Sequence, residues 1–195
     1  SWIDGHQVML RLAPTENTPE ALVSTMAGNI GFNGLNAKGL GITVNTLAQL
    51  NYCIEGLPVA FIVRSVLEKN SIDQAEHFLR GITHASGQNF VLSSASDMRC
   101  FECCGTSVVR YSPEHPQNSV FHSNHPMINN DESELKELTR HRFNNSNARL
   151  SSISQRLGDA SELLALDDIK AALAAHDDPN NPVSRNIKSD GNAIG

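Results

Sequence analysis

Long apolar runs, blocks of positive charge and a dense cysteine pattern are all missing from these 195 residues. The longest apolar stretch, residues 57–63, is interrupted by Pro58 and ended by Arg64. A bilayer needs about 20 apolar residues in a helix, so no span is expected. The opening Ser1-Trp2-Ile3-Asp4 has neither the basic nor the apolar region of a signal peptide. The net charge is −6 and the basic residues are scattered singly, which argues against a nucleic-acid partner. Four cysteines are too few for the disulfide framework of a small secreted domain. Three of them crowd into Cys100-Phe101-Glu102-Cys103-Cys104. Cys100 and Cys103 have C-x-x-C spacing, but no second pair follows to close a zinc site. They are expected as small buried residues on a strand, in a reducing, cytoplasmic setting. Alternation would place Cys100, Glu102 and Cys104 on one face, and Phe101 and Cys103 on the other.

What is present is enough apolar residue, 39%, for one ordinary core. Residues 7–12 read as a strand ending before Pro14. Residues 22–36 read as strand and turn, with Gly28, Gly31 and Gly34 where the backbone must bend or approach closely. A second strand over 39–47 follows a hairpin link, with Ile42 and Val44 on one face and Thr43 and Asn45 on the other. Pro58 suits a first helical position, and Val59, Ile62, Val63, Val66 and Leu67 recur at helical spacing. Ser71 caps a second helix running to about residue 82, with Ala75, Phe78, Leu79 and Ile82 inward. Strands return over 89–95 and 98–104, a hairpin about Ser96-Asp97, then over 107–112 and 119–123. Helices are expected over 131–143, 145–157 and 166–175. Runs of strands and runs of helices, without strict alternation, indicate α+β with layered antiparallel sheets.

The stretch that carries chemistry is Val120-Phe121-His122-Ser123-Asn124-His125-Pro126. An apolar pair runs into four polar side chains, and proline stops the run. A side-chain amide held at a strand end can donate its N–H to a developing oxyanion in a water-poor site. The same asparagine could simply satisfy backbone groups, as loop asparagines do. His122 and His125, three apart in an extended segment, would point to opposite faces, which disfavours a shared metal ion; none is expected. No activated nucleophile accompanies the amide: Glu102 would raise a neighbouring thiol's pKa.

Four motifs in order extend this reading: residues 27–45, Ala-Gly-Asn-Ile-Gly-Phe-Asn-Gly-Leu-Asn-Ala-Lys-Gly-Leu-Gly-Ile-Thr-Val-Asn; Gly56-Leu57-Pro58 with Arg64; His122-Ser123-Asn124-His125; and Pro182-Val183-Ser184-Arg185. Together they resemble the acyl-coenzyme A:6-aminopenicillanate acyltransferase family of the N-terminal-nucleophile (Ntn) hydrolases. The resemblance implies an Ntn-hydrolase-like αββα sandwich of antiparallel sheets, incomplete at both ends, over residues 1–186, with 187–195 a tail or truncated strand lead-in. It implies an N-terminal cysteine, freed by self-cleavage and activated by its own α-amine, that passes an acyl group from an amide or thioester to an amine or water. Asn124 would then be the oxyanion donor, with Asn45 lining the hole and Arg185 beside the nucleophile. His122 and His125 would border the substrate. No cofactor is implied, though a coenzyme A thioester could serve as substrate. The expected partners are a small amide or acyl thioester and the missing N-terminal segment of the same precursor. Oligomeric state is open.

In this resemblance Trp2 matches a tryptophan that follows the family's first catalytic segment, so the nucleophile is expected outside the chain. Ser1 as a processed nucleophile fits poorly, because no hairpin fits between it and the strand at residue 7. Two other readings stay open. One is a binding or scaffold protein that keeps the fold without the nucleophile. The other is a metal-dependent hydrolase using His122, His125 and His176.

Overall fold

The computed structural model describes residues 5–112, 119–134, 136–158 and 164–184. These fall into two compact units. One comprises residues 2–112 and 126–137, the other 113–125 and 138–195 together with Ser1. Ser1, Trp2, Arg185 and the tail 187–195 lie outside the described residues, so the expectations placed on them stay as stated.

The first unit is a seven-stranded antiparallel sheet whose spatial order follows the chain. It contains β1 (Gln7–Leu12), β2 (Ala21–Met26), β3 (Asn33–Asn36), β4 (Gly41–Thr46), β5 (Gln88–Ser93), β6 (Met98–Cys103) and β7 (Val108–Tyr111), with α1 (Val59–Leu67) and α2 (Ile72–Arg80) between β4 and β5. The class is α+β with antiparallel sheet, as expected. The β3–β4 link closes through Gly39 at φ 78°, a left-handed conformation that glycine adopts without steric cost.

Alternation decides the faces. Val23 and Ile42, with Phe90, Leu92, Phe101 and Cys103, turn to the helices and form one buried cluster with Ile62, Val63, Val66, Ala75 and Leu79. Helical spacing therefore identified the inward residues correctly. Pro58 stands one position earlier than expected, as the N-cap of α1. Ser71 does cap α2, its hydroxyl accepting from the Gln74 N–H at 3.3 Å, while the Gln74 side chain accepts from Asn70 N–H at 2.9 Å. Two side-chain links brace the helices. The Asn36 amide donates to the carbonyls of Leu67 (2.9 Å) and Lys69 (2.8 Å) at the end of α1. Arg99 reaches Asp73 (2.7 Å) and Glu76 (2.8 Å) of α2, and Asp97 (2.7 Å) in its own hairpin.

Two expectations need correction. Residues 119–123 form no strand. The two helices expected across 131–157 are one, α3 (Lys136–Leu157), which begins five residues later and runs through Asn144-Asn145 without a break. Asparagine costs only about 0.7 kcal/mol in a helix interior, and no proline or glycine intervenes. The last helix, α4 (Leu166–Leu173), starts where expected, with the Asp168 carboxylate accepting from the Ala165 N–H at 3.1 Å.

Candidate active site

Residues 122–125 hang on one hydroxyl of α3. Ser146 is fully buried, and its Oγ accepts from the Asn124 backbone N–H at 2.7 Å. It also lies 2.7 Å from His125 Nδ1 and 3.1 Å from Ser123 Oγ. A hydroxyl has one hydrogen and two lone pairs, so these three partners saturate it. His125 is buried at 5% exposure, and the half-buried His122 places Nδ1 2.7 Å from the carbonyl of Ser123. The exposed His176 places Nδ1 3.0 Å from the Ala174 carbonyl. The three histidines thus engage separate oxygens, and among the described residues no group of three or more His, Cys, Asp or Glu is placed to hold a metal ion.

Asn124 itself is half-buried. Its Oδ1 accepts from Arg149 Nη2 at 2.9 Å, and Arg149 Nε donates to Asn145 Oδ1 at 3.0 Å. Asn145 and Arg149 stand one turn apart on α3, a spacing at which helix side chains meet. Asn145 Nδ2 donates to Asn181 Oδ1 at 3.3 Å, and Asn181 Nδ2 to Asp178 Oδ2 at 2.9 Å. The hydrogen bond from the Asn181 side chain helps hold the Asp178 carboxyl below the usual range. The chain then turns back to the residues just past α4, where Val183 N–H (3.0 Å) and Ser184 N–H (3.2 Å) both donate to the Ala175 carbonyl. This anchors the Pro-Val-Ser stretch, with Pro182 buried. A depression of about 200 Å³ beside it is lined by Ser152, Gln155, Asp177, Asp178 and Asn181. That is below the roughly 300 Å³ of ordinary ligand sites.

In the first unit, Asn45 lies opposite Asn89 in the β4–β5 register, on the sheet face away from α1 and α2. Asn89 is fully buried; it donates to Asn45 Oδ1 at 3.2 Å and accepts from Cys100 Sγ at 3.0 Å. The Glu102 carboxylate, also fully buried, accepts three successive backbone N–H groups: Met127 at 2.6 Å, Ile128 at 3.1 Å and Asn129 at 2.7 Å. Glu102 has no hydrophobic period to announce it, and the sequence marked it only as a neighbour of the cysteines.

The thiols follow the expected faces. Phe101 and Cys103 join the apolar core, and Cys100, Cys103 and Cys104 are buried and free. Burial first, and Glu102 second, push the Cys100 thiol up to about 12. Burial likewise raises Cys103. A thiol so shifted supplies almost no thiolate at neutral pH. Cys53, half-buried, donates to Glu55 Oε2 at 3.5 Å. Arg149, Ser146 and Asn89 went unnoticed in the sequence, because an isolated polar residue carries no period.

Residues 8–193 match the family described as acyl-coenzyme A:6-aminopenicillanic acid acyl-transferase. The chain belongs to this family. Among solved structures, a variant of the conjugated bile acid hydrolase from Clostridium perfringens is 14% identical with a TM-score of 0.49, and the match covers 83% of this chain and 53% of that one. Penicillin V acylase from Agrobacterium tumefaciens is 17% identical with a TM-score of 0.45, covering 94% and 58%. This member of the family therefore spans little more than half the length of either structure. No curated protein matches it.

Proposed function

We propose that the chain is the core of an Ntn acyltransferase or amidohydrolase whose cysteine nucleophile lies on a segment outside it. The family match over residues 8–193 carries this reading. Burial holds Cys100 and Cys103 protonated, which supports the reading that neither is the nucleophile. In the reaction, a thiolate adds to the carbonyl carbon of an amide or thioester. The electron pair moves to the carbonyl oxygen, where the Asn124 Nδ2–H donates to it. Collapse expels the amine or thiol, which takes up a proton, and water or an amine then releases the acyl group. Asn45 and Arg185 are carried from the family resemblance as further catalytic candidates, Asn45 through its backbone N–H and Arg185 as a cation of the kind that lowers a thiolate's pKa. His122 borders the substrate; His125, buried on Ser146, holds the segment. The substrate is a small amide or acyl thioester, coenzyme A thioesters included.

Asn124→Ala in the full-length protein tests the donor. Acyl turnover of p-nitroanilides and acyl-coenzyme A should fall well beyond tenfold, since one such donor contributes about 3 kcal/mol. A fall smaller than about tenfold removes Asn124 from the oxyanion site. Failure of the unaltered protein to turn over any of these acyl donors removes the enzymatic reading and favours a scaffold.

A further inference from the structure

We propose that Arg149 is a positioning residue that fixes and polarises the Asn124 amide for acyl transfer, as the cationic link of a directed chain from Asp178 through Asn181 and Asn145. The proposal rests on the reading of Asn124 as oxyanion donor.

The direction of the chain follows from what its members can do. A guanidinium has five donors and no acceptor, so the atom of Asn124 that meets it must be Oδ1. The amide is planar, and its NH2 edge is therefore turned from Arg149. The same rule acts on Asn145, whose Oδ1 meets Arg149 Nε at 3.0 Å, leaving Nδ2 for Asn181 at 3.3 Å. At the other end the ionised Asp178 carboxylate only accepts, so it demands Nδ2 of Asn181, at 2.9 Å. A donor-only group and an acceptor-only group thus set every amide in one sense, and neither Asn145 nor Asn181 can flip without breaking a bond on both sides.

Two consequences bear on catalysis. An oxyanion donor must be aimed before the charge develops, and the Arg149 fork, held by the neighbouring turn of α3, provides that aim. A cation on the amide oxygen also draws electron density from the nitrogen, so the N–H groups become stronger donors, the cooperative effect expected along hydrogen-bond chains. Lysine cannot replace this, because an ammonium has no planar two-pronged edge to meet Asn124 and Asn145 at fixed angles.

The test is a double-mutant cycle in the full-length protein with acyl p-nitroanilides as probes. Arg149→Met should lower kcat by about tenfold or more while KM changes by less than about twofold, the signature of a lost transition-state interaction. In the Asn124→Ala background, Arg149→Met should cost nothing further, because its effect runs through the missing amide. A kcat within about twofold of normal for Arg149→Met, when Asn124→Ala is badly impaired, overturns the proposal; so does a double variant whose losses multiply. Asn124→Ala with normal turnover overturns the underlying reading instead, so the two failures are distinguishable. Arg149→Lys guards against misfolding of the methionine variant: it keeps the charge and should still lose kcat, and full activity there also overturns the claim.

Discussion

A carboxylate out of contact with water costs several kcal/mol unless donors meet it, and Glu102 is met by three consecutive backbone N–H groups of residues 127–129. The benefit runs both ways: Asn129 also returns a side-chain bond to the Glu102 carbonyl at 3.1 Å. Glu102→Gln keeps the volume but replaces one acceptor by an NH2 that faces a backbone N–H. It should destabilise the fold by about 1–3 kcal/mol, read from urea denaturation. A shift under about 0.5 kcal/mol would mean that water, not Glu102, satisfies those amides. At this scale the sequence was legible only in part. Asn124 stood out because four polar side chains follow an apolar pair. Glu102 was recognised as a neighbour of cysteines but not as an acceptor, since its donors lie 25 to 27 residues away.

Elements were far more readable. α1 and α2 declare themselves by apolar spacing, and the β5–β6 hairpin by Ser96-Asp97, whose turn closes on the Asp97 carbonyl through Ser94 N–H at 2.8 Å. The glycine expected at a close approach is there in β3: a Cβ on Gly34 would lie 2.6 Å from the Leu22 carbonyl oxygen and 2.6 Å from Leu67 Cδ1. Gly34→Ala should therefore cost about 1–3 kcal/mol through overpacking where α1 rests on the sheet. Thermal unfolding monitored by circular dichroism checks this, and an unchanged midpoint would show that β3 yields freely. The element misread was α3. Its buried face near Asn145 and Ser146 is polar, so hydrophobic periodicity had nothing to count, and the Asn144-Asn145 pair looked like a break. The bonds of Ser146 and Arg149 supply what propensity does not. The segment 119–123 failed for the opposite reason. Its apolar pair suits a strand, yet its Ser123 hydroxyl accepts from Ser146 of α3 at 3.1 Å, a contact no local pattern announces.

Global stability is where a buried histidine makes itself felt. His84 is 1% exposed; its Nε2–H donates to the Leu79 carbonyl at 2.9 Å, and Nδ1 has no partner among the described residues. Burial lowers its pKa from the ordinary 6.5. The unfolded chain then takes up the proton first as pH falls, so this contribution is intact above 6.5 and is lost progressively below it. His84→Gln keeps a donor for Leu79 and does not titrate, so its urea midpoint should vary less than that of the unaltered protein between about pH 7 and 5. Parallel curves would clear His84 of that role. Turn residues, alternation and helical spacing were sufficient to specify the sheet unit and its class, because they state locally which face of each element avoids water. The ordered motifs were likewise sufficient for the family. Which polar groups meet, Asn124 with Arg149, Glu102 with residues 127–129, Asn45 with Asn89, was settled only when distant stretches of chain crossed. Hydrogen bonds of that kind depend on geometry within a few tenths of an ångström, and no local pattern of residues encodes it.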